Sequence, residues 1–217
     1  MFFQDRKDAG RKLAEMLSSL PDLADAVVLG LTRGGVPVAY EVARACHLPL
    51  DILVVRKIGA PGQRELAVGA VARGVVTLNP EIVRVLHLSE EWLQQAAERA
   101  SAEISSLETL YRGGYPPVET AGRTVILVDD GLATGASMRA AARAVRPKAR
   151  QLVIAVPVAA ASTCRALESE ADRIVCMATP ENFEAVGQFY RSFEATGNDE
   201  VRGLLADARR QSAKPAA

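Results

Sequence analysis

The sequence predicts an α/β fold: a doubly wound, mainly parallel sheet flanked by helices, with a small hood or flap. Three observations carry that expectation. Short apolar runs without polar alternation, such as Thr124–Val128 and Gln151–Val158, read as strands buried on both faces, as in a parallel sheet. Segments of helical periodicity fall between such runs, and right-handed crossovers then place helices on both faces. With 217 residues, 49% of them hydrophobic, the chain suits one core. One domain over residues 1–217 is expected, with a flap at 58–79, a helical insert at 80–120 and C-terminal hood and helices at 179–211.

From Asp5 to Leu20, Ala9, Leu13, Met16, Leu17 and Leu20 recur at helical spacing until Pro21 stops the run. Ala26–Leu31 reads as the first buried strand. Thr32-Arg33-Gly34-Gly35 then turns into a helix at Val36-Pro37, where proline is tolerated in the first turn. Leu50–Val55 is the second strand, ending in Arg56-Lys57 before the loop Ile58–Gly62. Leu66–Val71 and Val75–Thr77 flank Arg73-Gly74, a hairpin signal that makes this region a small flap. Pro80–Leu86 is a helical turn, and Ser89 caps a longer helix whose Glu90 and Glu91 complement its positive end. Its stripe of Trp92, Leu93, Ala96, Ala100, Ile104, Leu107 and Leu110 suits core or a subunit interface, so a homodimer is expected. Tyr111-Arg112-Gly113-Gly114-Tyr115-Pro116-Pro117 breaks the helix, either as a loop that closes over a ligand or as a plain connector.

Past the central strand Thr124–Val128 and its helix Met138–Val145 come the strand Gln151–Val158, a helix opened by Ser162, and a last sheet strand, Arg173–Met177. Phe183, Phe189 and Tyr190 then cluster in a chain with only 5% aromatic residues. A helix from Asp199 leads to a tail, Ser212–Ala217, with the composition of a frayed end.

Composition excludes several classes. Lys plus Arg equals Asp plus Glu at 26 each, which argues against a protein held on nucleic acid by bulk charge. Three cysteines, Cys46, Cys164 and Cys176, have no metal-ligand spacing, sit among apolar neighbours and read as buried free thiols in a reducing cytosol. Two distant histidines, His47 and His87, offer little to a metal site or a triad. The first residues turn charged too soon for a signal peptide, and no apolar run approaches the roughly 18 residues of a membrane span. A soluble, cytoplasmic protein is expected.

The chemistry concentrates in Asp129-Asp130-Gly131-Leu132-Ala133-Thr134-Gly135-Ala136-Ser137, at the carboxyl end of the central strand, where open α/β sheets bind ligands. Glycines allow close backbone approach, Thr134 and Ser137 add hydroxyls, and the following helix start adds free amides, together a phosphate cradle. The Walker spacing is absent and no lysine follows Gly135. Two carboxylates repel phosphate, so their partners are hydroxyl donors or a metal ion. A sugar phosphate offers both diol and phosphate, and the loop reads as a ribose 5-phosphate site.

This stretch resembles the signature of the type I phosphoribosyltransferases: an apolar strand, two acids, three variable residues and Thr-Gly followed by a small residue. The resemblance implies that Asp129 and Asp130 hold the ribose hydroxyls of phosphoribosyl pyrophosphate (PRPP), while Gly131, Ala133, Thr134, Gly135, Ala136 and Ser137 wrap its 5-phosphate. It further implies a pyrophosphate loop at Arg33, Gly34 and Gly35, added cations from Arg56 and Lys57, and a mobile catalytic loop for which Arg112 is the candidate. By the same resemblance Phe183, Phe189 and Tyr190 line a hood over the acceptor, although helix packing accounts for them equally well. The implied reaction displaces pyrophosphate from PRPP by a nitrogen nucleophile, with Asp129, Asp130, Arg112 and Lys57 as the catalytic set. Magnesium enters through PRPP and water near Asp129 and Asp130 rather than on a dedicated ligand set. Ala133 stands where 6-oxopurine salvage enzymes carry an Asp, which counts against hypoxanthine or guanine as acceptor. The alternatives are a non-catalytic regulator that senses PRPP and an unrelated doubly wound enzyme such as a phosphotransferase.

Overall fold

The structure, a computed structural model, describes residues 2–21 and 23–212, and leaves aside the side chains of Arg64 and Glu65. Residues 213–217 of the expected frayed tail lie outside the described residues. The parallel strands are β1 (Val27–Leu31), β2 (Leu50–Leu53), β6 (Thr124–Val128), β7 (Gln151–Val158) and β8 (Arg173–Ala178). A second, antiparallel sheet holds β3 (Val55–Ala60), β4 (Gln63–Ala72) and β5 (Val75–Leu78). The helices are α1 (Arg6–Ser18), α2 (Gly35–Ala45), α3 (Pro80–Val85), α4 (Glu90–Arg112), α5 (Ala136–Val145), α6 (Ala161–Leu167) and α7 (Asn198–Ser212).

The main sheet runs β2-β1-β6-β7-β8, with every pairing parallel. Strand residues alternate between two apolar layers, as a pleated strand requires. Val28, Ile126, Val128, Val153 and Ala155 pack with Leu13, Leu17, Val38, Val42, Val201 and Leu205 of α1, α2 and α7. Val27, Leu29, Val125, Leu127, Leu152 and Ile154 pack with Met138, Ala141, Val145 and Leu167 of α5 and α6. Burying each such Val, Leu or Ile contributes about 1.5–3 kcal/mol, and both faces are covered, as the unbroken apolar runs require.

This order sets the functional edge. From β1 the chain crosses to β2 on one side, and it returns to place β6 on the other side of β1. The helices that follow, α2 and α5, lie on opposite faces. The carboxyl ends of β1 and β6 therefore flank a topological switch point, where doubly wound sheets open a crevice.

Several expectations are corrected. Arg56 and Lys57 do not end a strand of the main sheet. That strand stops at Leu53, and both residues lie inside β3, where antiparallel pairing with β4 claims their backbone. The small sheet accordingly spans 55–78 rather than starting at 58. The hairpin turn is where the sequence puts it, with both central residues left-handed, Arg73 at φ 46° and Gly74 at φ 77°. In α4, Ala96, Ala100, Ile104 and Tyr111 are buried and Leu107 packs partly, but Leu110 is exposed. Partners within the chain, β3, β4 and α7, pack on this helix. In α1, Met16 turns outward. Helix α6 begins at Ala161, one residue before Ser162, and Ala160 at its N-cap position supplies no side-chain cap. The aromatic segment is not itself an α-helix: it forms a 3-10 turn at Val186–Phe189 and a bridge from Tyr190 to Phe3, and it packs against Ala9 of α1.

Candidate active site

Helix ends show where ligand space is left. Asp5, Asn79 and Ser89 cap α1, α3 and α4 through side chains, and each of these helices has acids in its first turn. The helices that leave the switch point differ: Gly34 and Gly135 head α2 and α5 with no side-chain cap and no acid in the first turn. The short α6 is uncapped too. The unpaired amides and positive end of the ten-residue α5 are thus open toward Ala133 and Thr134, both exposed. Gly135 takes φ 70°, a left-handed conformation that turns the loop into the helix, and a Cβ there would lie 2.6 Å from the Thr163 methyl. The Thr163 hydroxyl donates to the Ala133 carbonyl from below, bracing the loop.

The loops after β1 and β6 meet. A Cβ on Gly34 would stand 2.1 Å from Asp130 Oδ2, and one on Gly35 would stand 2.6 Å from the Val128 carbonyl oxygen. Only glycine permits this apposition of the Arg33-Gly34-Gly35 turn with the acid pair. The Thr32–Arg33 peptide bond is cis. Arg33 is exposed, with Nη1 3.5 Å from Asn198 Oδ1, which also accepts from Tyr111 Oη at 2.9 Å.

The two acids occupy half-buried positions. Burial pushes the Asp129 carboxyl well above the usual carboxylate range, and the Asp130 charge adds to the rise. Burial also raises Asp130, against the lowering pull of Arg6. Arg6 Nε and Nη2 each lie 2.8 Å from Asp130 Oδ2. Sequence reasoning missed this residue: Arg6 lies 124 positions from its partner, and nothing local marks it as other than a first-turn arginine.

Arg56 and Lys57 border a cleft of about 670 Å³ that also touches Trp92, Arg99 and Ser137. As successive strand residues they point to opposite faces, and Arg56 pairs with Glu103 of α4, Nε to Oε2 at 3.2 Å. Lys57 is exposed. Their expected joint action as adjacent cations is therefore corrected: among the described residues Lys57 makes no ion pair, whereas Arg56 is engaged by Glu103.

Arg112 is not on a mobile loop. It ends α4, only 6% exposed, and donates through Nε to Asp51 at 3.0 Å and through Nη2 to the Ile52 carbonyl at 3.3 Å. Asp51 is fully buried and also accepts from the Val118 amide at 3.0 Å. A buried carboxylate must be paired, which explains why Arg112 points into the protein; the catalytic expectation for it is withdrawn.

The hood expectation is also corrected for Phe189 and Tyr190. Each is 7% exposed and packs in a satellite cluster with Phe3, Ala9 and Val158. Tyr190 Oη donates to the Asp130 carbonyl at 2.6 Å, so this ring supports the acid pair from inside. Phe183 is half-buried and stacks on Phe189 at 5.4 Å.

The three cysteines are unpaired and half-buried, and burial pushes the Cys176 thiol up to about 12. Among the described residues no helix is long and apolar enough to cross a membrane.

The switch point thus brings together two uncapped helix starts and an adjacent pair of acids, and comparison with known proteins says which family has this arrangement. The phosphoribosyl transferase domain model matches residues 3–194, and the chain belongs to that family. Two proteins from Mycobacterium tuberculosis, strains CDC 1551 and H37Rv, each bear the name "Putative phosphoribosyl transferase" and are 44% identical over 217 residues. The match takes in 99% of this chain and 49% of each relative, so the chain spans about half the length of those relatives. The crystal structure of TT1426 from Thermus thermophilus is similar at a TM-score of 0.83 and 41% identity, covering 95% of this chain and 99% of that one.

Proposed function

We propose that the chain is a phosphoribosyltransferase that displaces pyrophosphate from PRPP with a nitrogen nucleophile. One observation carries the proposal: the acid pair and the Arg33-Gly34-Gly35 turn pack within a methyl group of each other, beside an uncapped helix start. A ligand held there by a diol at the acids and a phosphate at the Ala133–Ser137 loop has its C1 substituent next to the second turn, which suits a diphosphate leaving group.

On this reading Gly131, Ala133, Thr134, Gly135, Ala136 and Ser137 enclose the 5-phosphate through backbone amides and the Thr134 and Ser137 hydroxyls. Arg33, the Gly34 and Gly35 backbone and Lys57 face the diphosphate and stabilise the charge that grows as the C1–oxygen bond breaks. The half-buried carboxylates lie near the ribose, where positive charge develops. Placement and charge do the work, so no side-chain nucleophile is required. The small sheet β3–β5 acts as the flap that limits water.

Magnesium fits this site only as a companion of the substrate. Among the described residues no group of three His, Cys, Asp or Glu side chains converges to hold a metal. Hard oxygen ligands on the diphosphate, with water between the ion and Asp129 or Asp130, suit such a cation. When bound it would offset diphosphate charge. The exposed Ala133 offers no carboxylate to an acceptor base, so adenine, orotate or another nitrogen heterocycle is proposed ahead of a 6-oxopurine.

The test is pyrophosphate release from PRPP and magnesium across a panel of nitrogen heterocycles. Release that depends on one acceptor is expected. Binding of PRPP with no release for any acceptor would return the chain to the sensor class.

A further inference from the structure

The contact of Arg6 with Asp130 is not needed by the reaction as written above, yet it is built from every side. Both nitrogens reach the same oxygen, Oδ2, at 2.8 Å. Nη1 donates to the Glu194 carbonyl at 2.6 Å, and the guanidinium lies 3.9 Å from the centre of the Phe193 ring. The side chains of Arg6 and Asp130 are only 12% and 14% exposed. Tyr190 fixes the Asp130 backbone through its carbonyl, and Gly34 leaves room for Oδ2.

The remaining oxygens give this contact a purpose. Asp129 Oδ1 accepts from the Asp130 amide at 2.9 Å, and Asp130 Oδ2 accepts from Arg6. Among the described residues, Asp129 Oδ2 and Asp130 Oδ1 accept no hydrogen bond from protein. Each acid is thus tied down at one oxygen and open at the other. Two adjacent acceptors match the two donors of a vicinal diol, and a planar guanidinium with both nitrogens on one oxygen fixes the carboxylate more tightly than an ammonium can.

We propose that Arg6 is a positioning residue for ribose recognition, holding Asp130 so that its free oxygen and that of Asp129 together receive the 2- and 3-hydroxyls. The inference rests on the ribose reading of the acid pair given above.

The test compares binding of PRPP with magnesium, of ribose 5-phosphate and of 2-deoxyribose 5-phosphate, the last lacking one donor. Wild type, Arg6→Gln, Arg6→Lys, Asp129→Asn, Asp130→Asn and Arg6→Gln/Asp130→Asn are titrated. Arg6→Gln is expected to weaken PRPP and ribose 5-phosphate about tenfold, or ~1.4 kcal/mol, and the deoxy sugar much less. Arg6→Lys recovers part of the loss. The double variant binds no worse than Asp130→Asn alone, because the two changes remove one unit. Should Arg6→Gln fail to fold, Arg6→Lys carries the comparison, with a smaller loss confined to the diol sugars. Wild-type binding by Arg6→Gln, equal losses for ribose and deoxyribose, or losses that multiply in the double variant overturn the inference while leaving the ribose reading intact. Wild-type binding of both sugars by Asp129→Asn and Asp130→Asn overturns the ribose reading itself, and this inference with it.

Discussion

A single methyl group added at Gly34 would fall on the Asp130 carboxylate. Gly34→Ala is therefore expected to displace Asp130 or the turn, lowering stability by about 1–3 kcal/mol as overpacking does and weakening PRPP at least tenfold in a calorimetric titration. Wild-type affinity would mean that the turn and the acids do not act on one ligand. Arg112 gives the opposite pattern. Arg112→Met leaves Asp51 buried and unpaired, which costs about 3–5 kcal/mol, read by urea unfolding, while the folded protein keeps its PRPP affinity. A catalytic arginine would instead lose turnover at unchanged stability. Adjacent acids after an apolar strand were legible because their setting is local. Arg112 and Arg6 were not, since their partners Asp51 and Asp130 lie 61 and 124 positions away and only the fold brings them together.

Elements were legible in proportion to how far their own residues dictate them. Apolar β1, β6 and β7, capped α4 and the Arg73-Gly74 hairpin follow from local pattern and turn chemistry. The charged strand β3 does not, because strand formation there is decided by its neighbour β4. In that hairpin Gly74 has open space around it at φ 77°, so Gly74→Ala meets only backbone strain and should cost about 1–2 kcal/mol in thermal unfolding. Asp172, just before β8, ties elements together: it pairs with Arg146 after α5 and accepts from the Leu152 amide of β7 at 2.7 Å. The hydrogen bond from Arg146 comes first among the influences that hold its carboxyl below the ordinary value. Its stabilisation is thus complete above the unfolded carboxylate range, about 3.9, and disappears as pH falls through the depressed folded value. Asp172→Asn should melt below wild type at pH 7, with the gap closing toward pH 3; a gap that does not change with pH would mean that the ion pair does not stabilise the fold.

At the scale of the whole molecule, the strand order brings β1 and β6 side by side at a switch point, and the two turns that follow them meet. Sequence pattern predicted the sheet and both turns but could not give their distance, which depends on the order of strands and on glycines that allow contact. Family membership fits this architecture, and the match with half of each longer relative leaves the phosphoribosyl transferase unit as the shared part. The proposed chemistry therefore requires the acid pair and the neighbouring loop to grip one sugar phosphate. Calorimetric titration of PRPP with magnesium into wild type and into Asp129→Asn/Asp130→Asn tests this most directly. Saturable binding by the wild type, lost in a double variant that still folds, is the predicted result; equal binding by both proteins would contradict it.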